Sequence, residues 1–276
     1  MVTTRPQLSS AGQHEVQRLR LGAVSYLNAE PLIHGLRDDP RFEILSEVPS
    51  RVAARLRAGE IDIGMIPSIE YATAEYRIVP GVAIASRGPV RSVILLHEGP
   101  LESLRRVAVD ASSRTSVALL RLLLRERLGR DPEYVEMPPD AARMLAQADA
   151  ALLIGDPALY LEGPMRRLDL GRAWLEATGL PFVFAFWAGR SDALTGADVS
   201  RLQAALAEGL RNLRQIASSY NGHGAGRAAE NELYLRENVV YRFGDQEQAG
   251  LREFFRRAHA QGLIPQRPEL RFHGDP

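Results

Sequence analysis

The alternation of apolar and polar positions lays out the first third of the chain as strands and helices in turn. Leu19 to Tyr26 (LRLGAVSY) predicts a short strand, and Asn28-Ala29-Glu30-Pro31 opens a predicted helix to about Leu36. Proline is tolerated in a first helical turn, where its missing N–H has no partner to lose. Phe42 to Val48 alternates as a second strand. A helix then starts at Pro49-Ser50, with Val52, Ala53 and Leu56 on one face, and stops at Gly59. Ile61 to Ile66 (IDIGMI) is the near-continuous apolar run of a buried parallel strand. A strand–helix–strand–helix–strand order within roughly 50 residues predicts a doubly wound, mostly parallel sheet.

The middle of the chain repeats this grammar. Val90 to His97 and Val107 to Val109 predict strands. Ser113 to Ser116 caps an apolar helix over Val117 to Leu128 that closes at Gly129, and AALLI (150–154) and FVFAFWA (182–188) predict two more strands. The tail reads as helical: Thr195 to Asp198 resembles a capping box ahead of a helix to about Ser218, and a last helix runs from Asp245 to about Gln261. The expectation is α/β, with two lobes: residues 1–92 together with 190–276 form one, with 1–18 as a flexible leader, and 93–189 form the other. The runs at 90–97 and 182–188 cross between them. A ligand cleft is then expected between the lobes, at carboxyl ends of strands and amino ends of helices.

Composition narrows the chemistry. The 276 residues are more than one ordinary core organises. Thirty-four basic residues balance 34 acidic ones, so no global charge calls for nucleic acid or an anionic membrane. With no cysteine, disulfides, thiolate nucleophiles and cysteine-ligated metals are excluded. The six histidines show no HExxH spacing, and no glycine-rich phosphate loop is present, so no metal, nucleotide or other cofactor is expected. The polar opening residues lack the apolar core of an export signal, and no apolar run approaches membrane-spanning length. The expected location is the cytoplasm.

Polar residues that directly follow apolar strands are the candidate site. Ser25, Tyr26 and Asn28 follow the first strand; Asn28 offers a donor and an acceptor to a substrate, or caps the next helix. Ser68, after IDIGMI, caps a helix or faces the cleft, and Ser86 stands in a turn before the crossover strand. Ser113, Arg114, Thr115 and Ser116 gather hydroxyls and a guanidinium at a helix amino terminus, an arrangement suited to an anion. Asp156 ends the AALLI strand, as a functional acid or as a cap.

Taken together, GAVSYLNAEPL (22–32), GEIDIGMIPSIEY (59–71), SRGPVRSVILL (86–96), VAVDASSRTSVALLRLLL (107–124), AALLIGDPAL (150–159) and WLEATGLPFVFAFWA (174–188) resemble the chorismate dehydratase family of the futalosine route to menaquinone. The resemblance covers roughly residues 19–262. It implies a periplasmic-binding-protein-like fold of type II and a hydro-lyase that converts chorismate, its small-molecule partner, to 3-[(1-carboxyvinyl)oxy]benzoate. These residues offer no convincing general base for that reaction, so a substrate-assisted route is expected, in which the enolpyruvyl carboxylate takes the proton. Asn28 would orient that carboxylate or the leaving hydroxyl, the 113–116 segment would bind a carboxylate, and Asp156 is the enzymic alternative for acid or base. The sister enzyme that makes 1,4-dihydroxy-6-naphthoate carries an SPCPNDT-like segment where this chain has SYLNAEP, and ranks second. A solute-binding protein without turnover is the competing class, because a fold alone does not set function. The residues leave the oligomeric state open.

Overall fold

The structure, a computed structural model, describes residues 18–275. Of the expected leader, only Arg18 lies inside that range; it donates to the Phe42 carbonyl oxygen at 2.9 Å. Twelve strands form among the described residues. Five come early: β1 (Leu19–Val24), β2 (Phe42–Glu47), β3 (Ile63–Pro67), β4 (Arg77–Ile78) and β5 (Gly81–Ser86). Five follow in the middle: β6 (Val93–His97), β7 (Arg106–Asp110), β8 (Glu133–Met137), β9 (Ala150–Ile154) and β10 (Arg166–Asp169). The last two are β11 (Phe182–Gly189) and β12 (Val240–Phe243).

They divide into two open sheets. One has the order β12-β5-β11-β3-β1-β2, with β4 beside β11; the other runs β10-β6-β9-β7-β8. Both are mixed, which corrects the expectation of mostly parallel sheets. Strands joined by helical turns are parallel: β1 with β2 and β3, and β7 with β8 and β9. The helices Pro49–Ala58 and Thr115–Leu128 make two of those crossings. Each ends at a glycine with positive φ, Gly59 at 73° and Gly129 at 67°, which lets the chain turn back without strain. A strand arriving from the other lobe enters where these strands finish, and therefore runs antiparallel to them. Val93 of β6 thus pairs with Ile154 at the end of β9, and Phe182 of β11 pairs with Ser86 at the end of β5.

The position of β11 is a second correction. The FVFAFWA run does not belong to the central block; it lies inside the first sheet, hydrogen-bonded to β3 and β5. Covered on both faces, it is apolar throughout, and that is why its pattern does not reveal which sheet it joins. The expected helix to Ser218 is also two helices, Gly196–Arg211 and Leu213–Ser219, interrupted at Asn212.

One buried cluster runs through both lobes. Val52 and Ile66 of the first lobe, Leu119 and Leu122 of the second, and Phe254 of the final helix Asp245–Ala260 all belong to it. Trp174 stands fully buried at its centre, edge-on to Phe182 and Phe254. Its indole N–H donates to the Pro181 carbonyl oxygen at 3.1 Å, so the wide ring is buried with its polar atom satisfied.

Candidate active site

The ends of β1, β3, β5 and β9 and the amino terminus of helix Thr115–Leu128 converge on one cavity between the sheets. Its walls are largely apolar, with Ile84, Val90, Val93, Ile154 and Phe184 among them. Its polar lining comes from Tyr26, Asn28, Ser92, Ser113, Arg114, Thr115 and Ser116.

Asn28 sits inside a short turn of 3₁₀-helix, Leu27–Ala29, and its side chain caps nothing. It is held from two sides instead. Its backbone carbonyl oxygen accepts from the Tyr241 hydroxyl at 2.9 Å, and its side-chain Nδ2 donates to the Tyr234 hydroxyl at 3.3 Å. Tyr234 in turn donates to Ser92 Oγ at 2.7 Å. With Nδ2 engaged, Asn28 Oδ1 is left buried beside the cavity without a protein partner among the described residues. Burying an acceptor unpaired costs about 1–3 kcal/mol, which a donor on a ligand would offset. Ser113 Oγ is in the same condition.

Ser113 precedes the helix that begins at Thr115, whose first-turn N–H groups have no acceptor within the helix. Thr115 Oγ1 is drawn aside to accept from the Ile69 N–H at 3.1 Å, although the residue still lines the cavity. Arg114 stands at the rim, half-exposed, with Glu136 at 3.4 Å and Glu70 at 4.0 Å.

Four sequence candidates lie off the cavity lining. Ser25 is exposed, and its N–H serves β2 through the Glu47 carbonyl oxygen. Ser68 is fully buried and caps no helix; its hydroxyl donates to the Val183 carbonyl oxygen at 2.8 Å, tying the end of β3 to β11. Ser86 is buried under helix Leu170–Thr178, so close that a Cβ on Gly171 would stand 2.5 Å from its oxygen. Asp156 is buried behind the cavity wall rather than lining it. Its Oδ1 accepts from the Leu27 N–H at 3.1 Å and its Oδ2 from the Tyr220 hydroxyl. Burial pushes its carboxyl above the usual aspartate range, while those two donors pull the other way.

Ser92 lines the cavity and three tyrosines hold the residues around it, and sequence reasoning missed all four. Ser92, Tyr220, Tyr234 and Tyr241 fall in stretches that read as crossover or helical tail, and no local motif marks them. The one available signal is the tyrosine itself, whose hydroxyl needs a partner wherever the ring is buried. Tyr26 donates to Ser112 Oγ at 3.3 Å, and Ser112 donates to Asp110 Oδ1 at 2.7 Å. Burial raises the Tyr26 hydroxyl to about 12, so at neutral pH it is a proton donor and a poor base. Among the described residues, no three histidine, aspartate or glutamate side chains gather as a metal would require. No helix among them is long and apolar enough to cross a membrane.

A family model described as menaquinone biosynthesis matches residues 19–260, a range that includes every strand and the cavity. The chain belongs to that family. A chorismate dehydratase of Thermus thermophilus is 34% identical over 267 residues, covering 88% of this chain and 95% of its own. One of Campylobacter jejuni is 32% identical over 173 residues, covering 59% of this chain and 64% of its own. Among solved structures, a protein of Archaeoglobus fulgidus superimposes with a TM-score of 0.75 at 21% identity, covering 91% of this chain and all of its own. The periplasmic aliphatic sulphonate binding protein of Escherichia coli gives 0.65 at 20% identity, over 94% of each chain. The fold of this family member is therefore that of the periplasmic binding proteins, with its cavity between the two sheets.

Proposed function

We propose that this chain removes water from chorismate to give 3-[(1-carboxyvinyl)oxy]benzoate, the reaction class named for its Thermus and Campylobacter relatives. The observation that carries the mechanism is the lining of the cavity. Its ionisable side chains are Tyr26 and Arg114, with no carboxylate or imidazole among them. Tyr26 is a poor base, and Asp156 stands behind the wall with both oxygens engaged.

The base is then the substrate's own enolpyruvyl carboxylate, which reaches the ring C3–H through a six-membered arrangement. The C3–H electron pair becomes the C3–C4 double bond, and the C4–O bond breaks. The departing hydroxyl leaves as water with the proton that the carboxylate took. The ring carboxylate activates C3–H through the intervening double bond, and aromatisation drives the loss. The protein's task is orientation and charge placement. Asn28 Oδ1 is an open acceptor, which suits the C4 hydroxyl rather than a carboxylate. Ser113 and the amino terminus of helix Thr115–Leu128 supply donors for a carboxylate. Such a biosynthetic step on a charged intermediate fits the cytoplasm.

Incubation of the purified protein with chorismate tests the proposal. The expected result is catalytic appearance of the aromatic product's absorbance, with mass spectrometry showing the loss of one water. Saturable binding of chorismate without conversion would overturn it in favour of a binding protein.

A further inference from the structure

Asp156 follows β9 in the short helix Gly155–Leu159, on the second lobe. Both donors to it, the Leu27 N–H and the Tyr220 hydroxyl, come from the other side of the cleft. Leu27 is the neighbour of Asn28. The second lobe grips the same turn at two further points. The Tyr26 ring lies so close over Gly155 that a Cβ there would stand 2.5 Å from it, and the Tyr26 hydroxyl reaches Ser112 at 3.3 Å. Gly155 has φ of 62°, so this close approach and the backbone conformation both favour glycine.

The geometry points to Asp156 as a positioning residue: with Tyr220 it forms a clasp across the cleft that sets where Asn28 stands in the cavity. The inference rests on the role proposed above for Asn28. A carboxylate suits this place because it accepts from two donors at once. An amide offers one acceptor, and would turn an N–H toward the other donor. The ionised form of Asp156 is used for hydrogen bonds and not for proton transfer.

Two readouts test this on the full chain, with wild type, Asp156→Asn, Tyr220→Phe and the double variant. The first is hydrogen exchange of the Leu27 amide without substrate. The second is kcat and KM for chorismate. The expected result is faster Leu27 exchange in both single variants. Tyr220→Phe should lose about tenfold in kcat, the scale of one hydrogen bond to a charged group. Asp156→Asn should lose more, and the double variant no more than Asp156→Asn, because Tyr220 acts through Asp156. Unchanged Leu27 exchange in Tyr220→Phe would overturn the clasp even if Asp156→Asn does not fold. So would an inactive Asp156→Asn beside a fully active Tyr220→Phe, the pattern of a base whose hydrogen-bond donor has been removed. Failure of wild type to convert chorismate would sink the dehydratase reading, and the exchange measurement would still decide the clasp.

Discussion

Asn28 and the serines around it follow strands in the same way, yet they end in different surroundings. Ser25, Ser68 and Ser86 occupy strand ends, where a hydroxyl can face the cavity, the backbone or solvent. Ser68 spends its donor on Val183, and Ser86 faces Gly171. Asn28 is different because Tyr234 and Tyr241 hold it and leave one oxygen open. Serine in place of Asn28 separates orientation of substrate from local structure. Asn28→Ser should lower kcat by about 10²-fold, the scale of one well-aimed contact at a reacting centre. Its melting temperature should stay close to that of wild type, because the side chain caps no helix. A wild-type rate would remove Asn28 from the mechanism.

At the scale of elements, the capping box before Gly196–Arg211 was legible because both of its halves are local. The Thr195 side chain accepts from the Asp198 N–H at 3.2 Å, and Asp198 accepts from the Thr195 N–H at 3.0 Å. What the sequence did not show is that Asp198 also takes both arms of Arg41, at 2.8 and 3.0 Å, pinning this helix to the entrance of β2. Arg41 foremost, with Thr195, holds the Asp198 carboxyl down to about 2, against the opposing pull of burial. A depressed pKa gives stability that is complete above the unfolded value of 3.8 and is lost as pH falls toward about 2. Across that window the melting temperature of wild type should fall more steeply than that of Asp198→Asn. Parallel curves would show that the pair carries none of the acid sensitivity. Thr195→Ala, by loss of the cap alone, should cost about 1 kcal/mol in chemical denaturation.

For the whole molecule, two sheets joined by crossings hold the turn at Tyr26 and Leu27 between them. The first crossing is kept under tension at Arg91, which has φ of 61°, and Asp169 fixes it by accepting from the Val90 and Arg91 N–H groups at 3.1 and 2.7 Å. The core that holds Trp174 and Phe254 is shared by both lobes. A cleft between two lobes joined by crossings is expected to narrow on ligand binding by hinge motion. Small-angle scattering should give a smaller radius of gyration with saturating product than without it. Superimposable curves would mean that the cleft does not open in solution.

The sequence by itself determined the helix-linked order of β1, β2 and β3, the helix stops at Gly59 and Gly129, the capping box and the segment from Tyr26 to Asn28 as a candidate site, while β8 and β12 went unread. These rest on propensities and spacings that act within a few turns of chain. Tertiary structure decided the rest. β11 is apolar on both faces, and such a pattern fits the centre of either sheet, so only its pairing with β3 and β5 assigns it. Asp156 has one appearance in sequence whether it works as a base or as an anchor, and the difference lies in Leu27 and Tyr220, 129 and 64 residues away. Hydrogen-bond partners over such separations are set by how the lobes pack, and no local pattern in the chain records them.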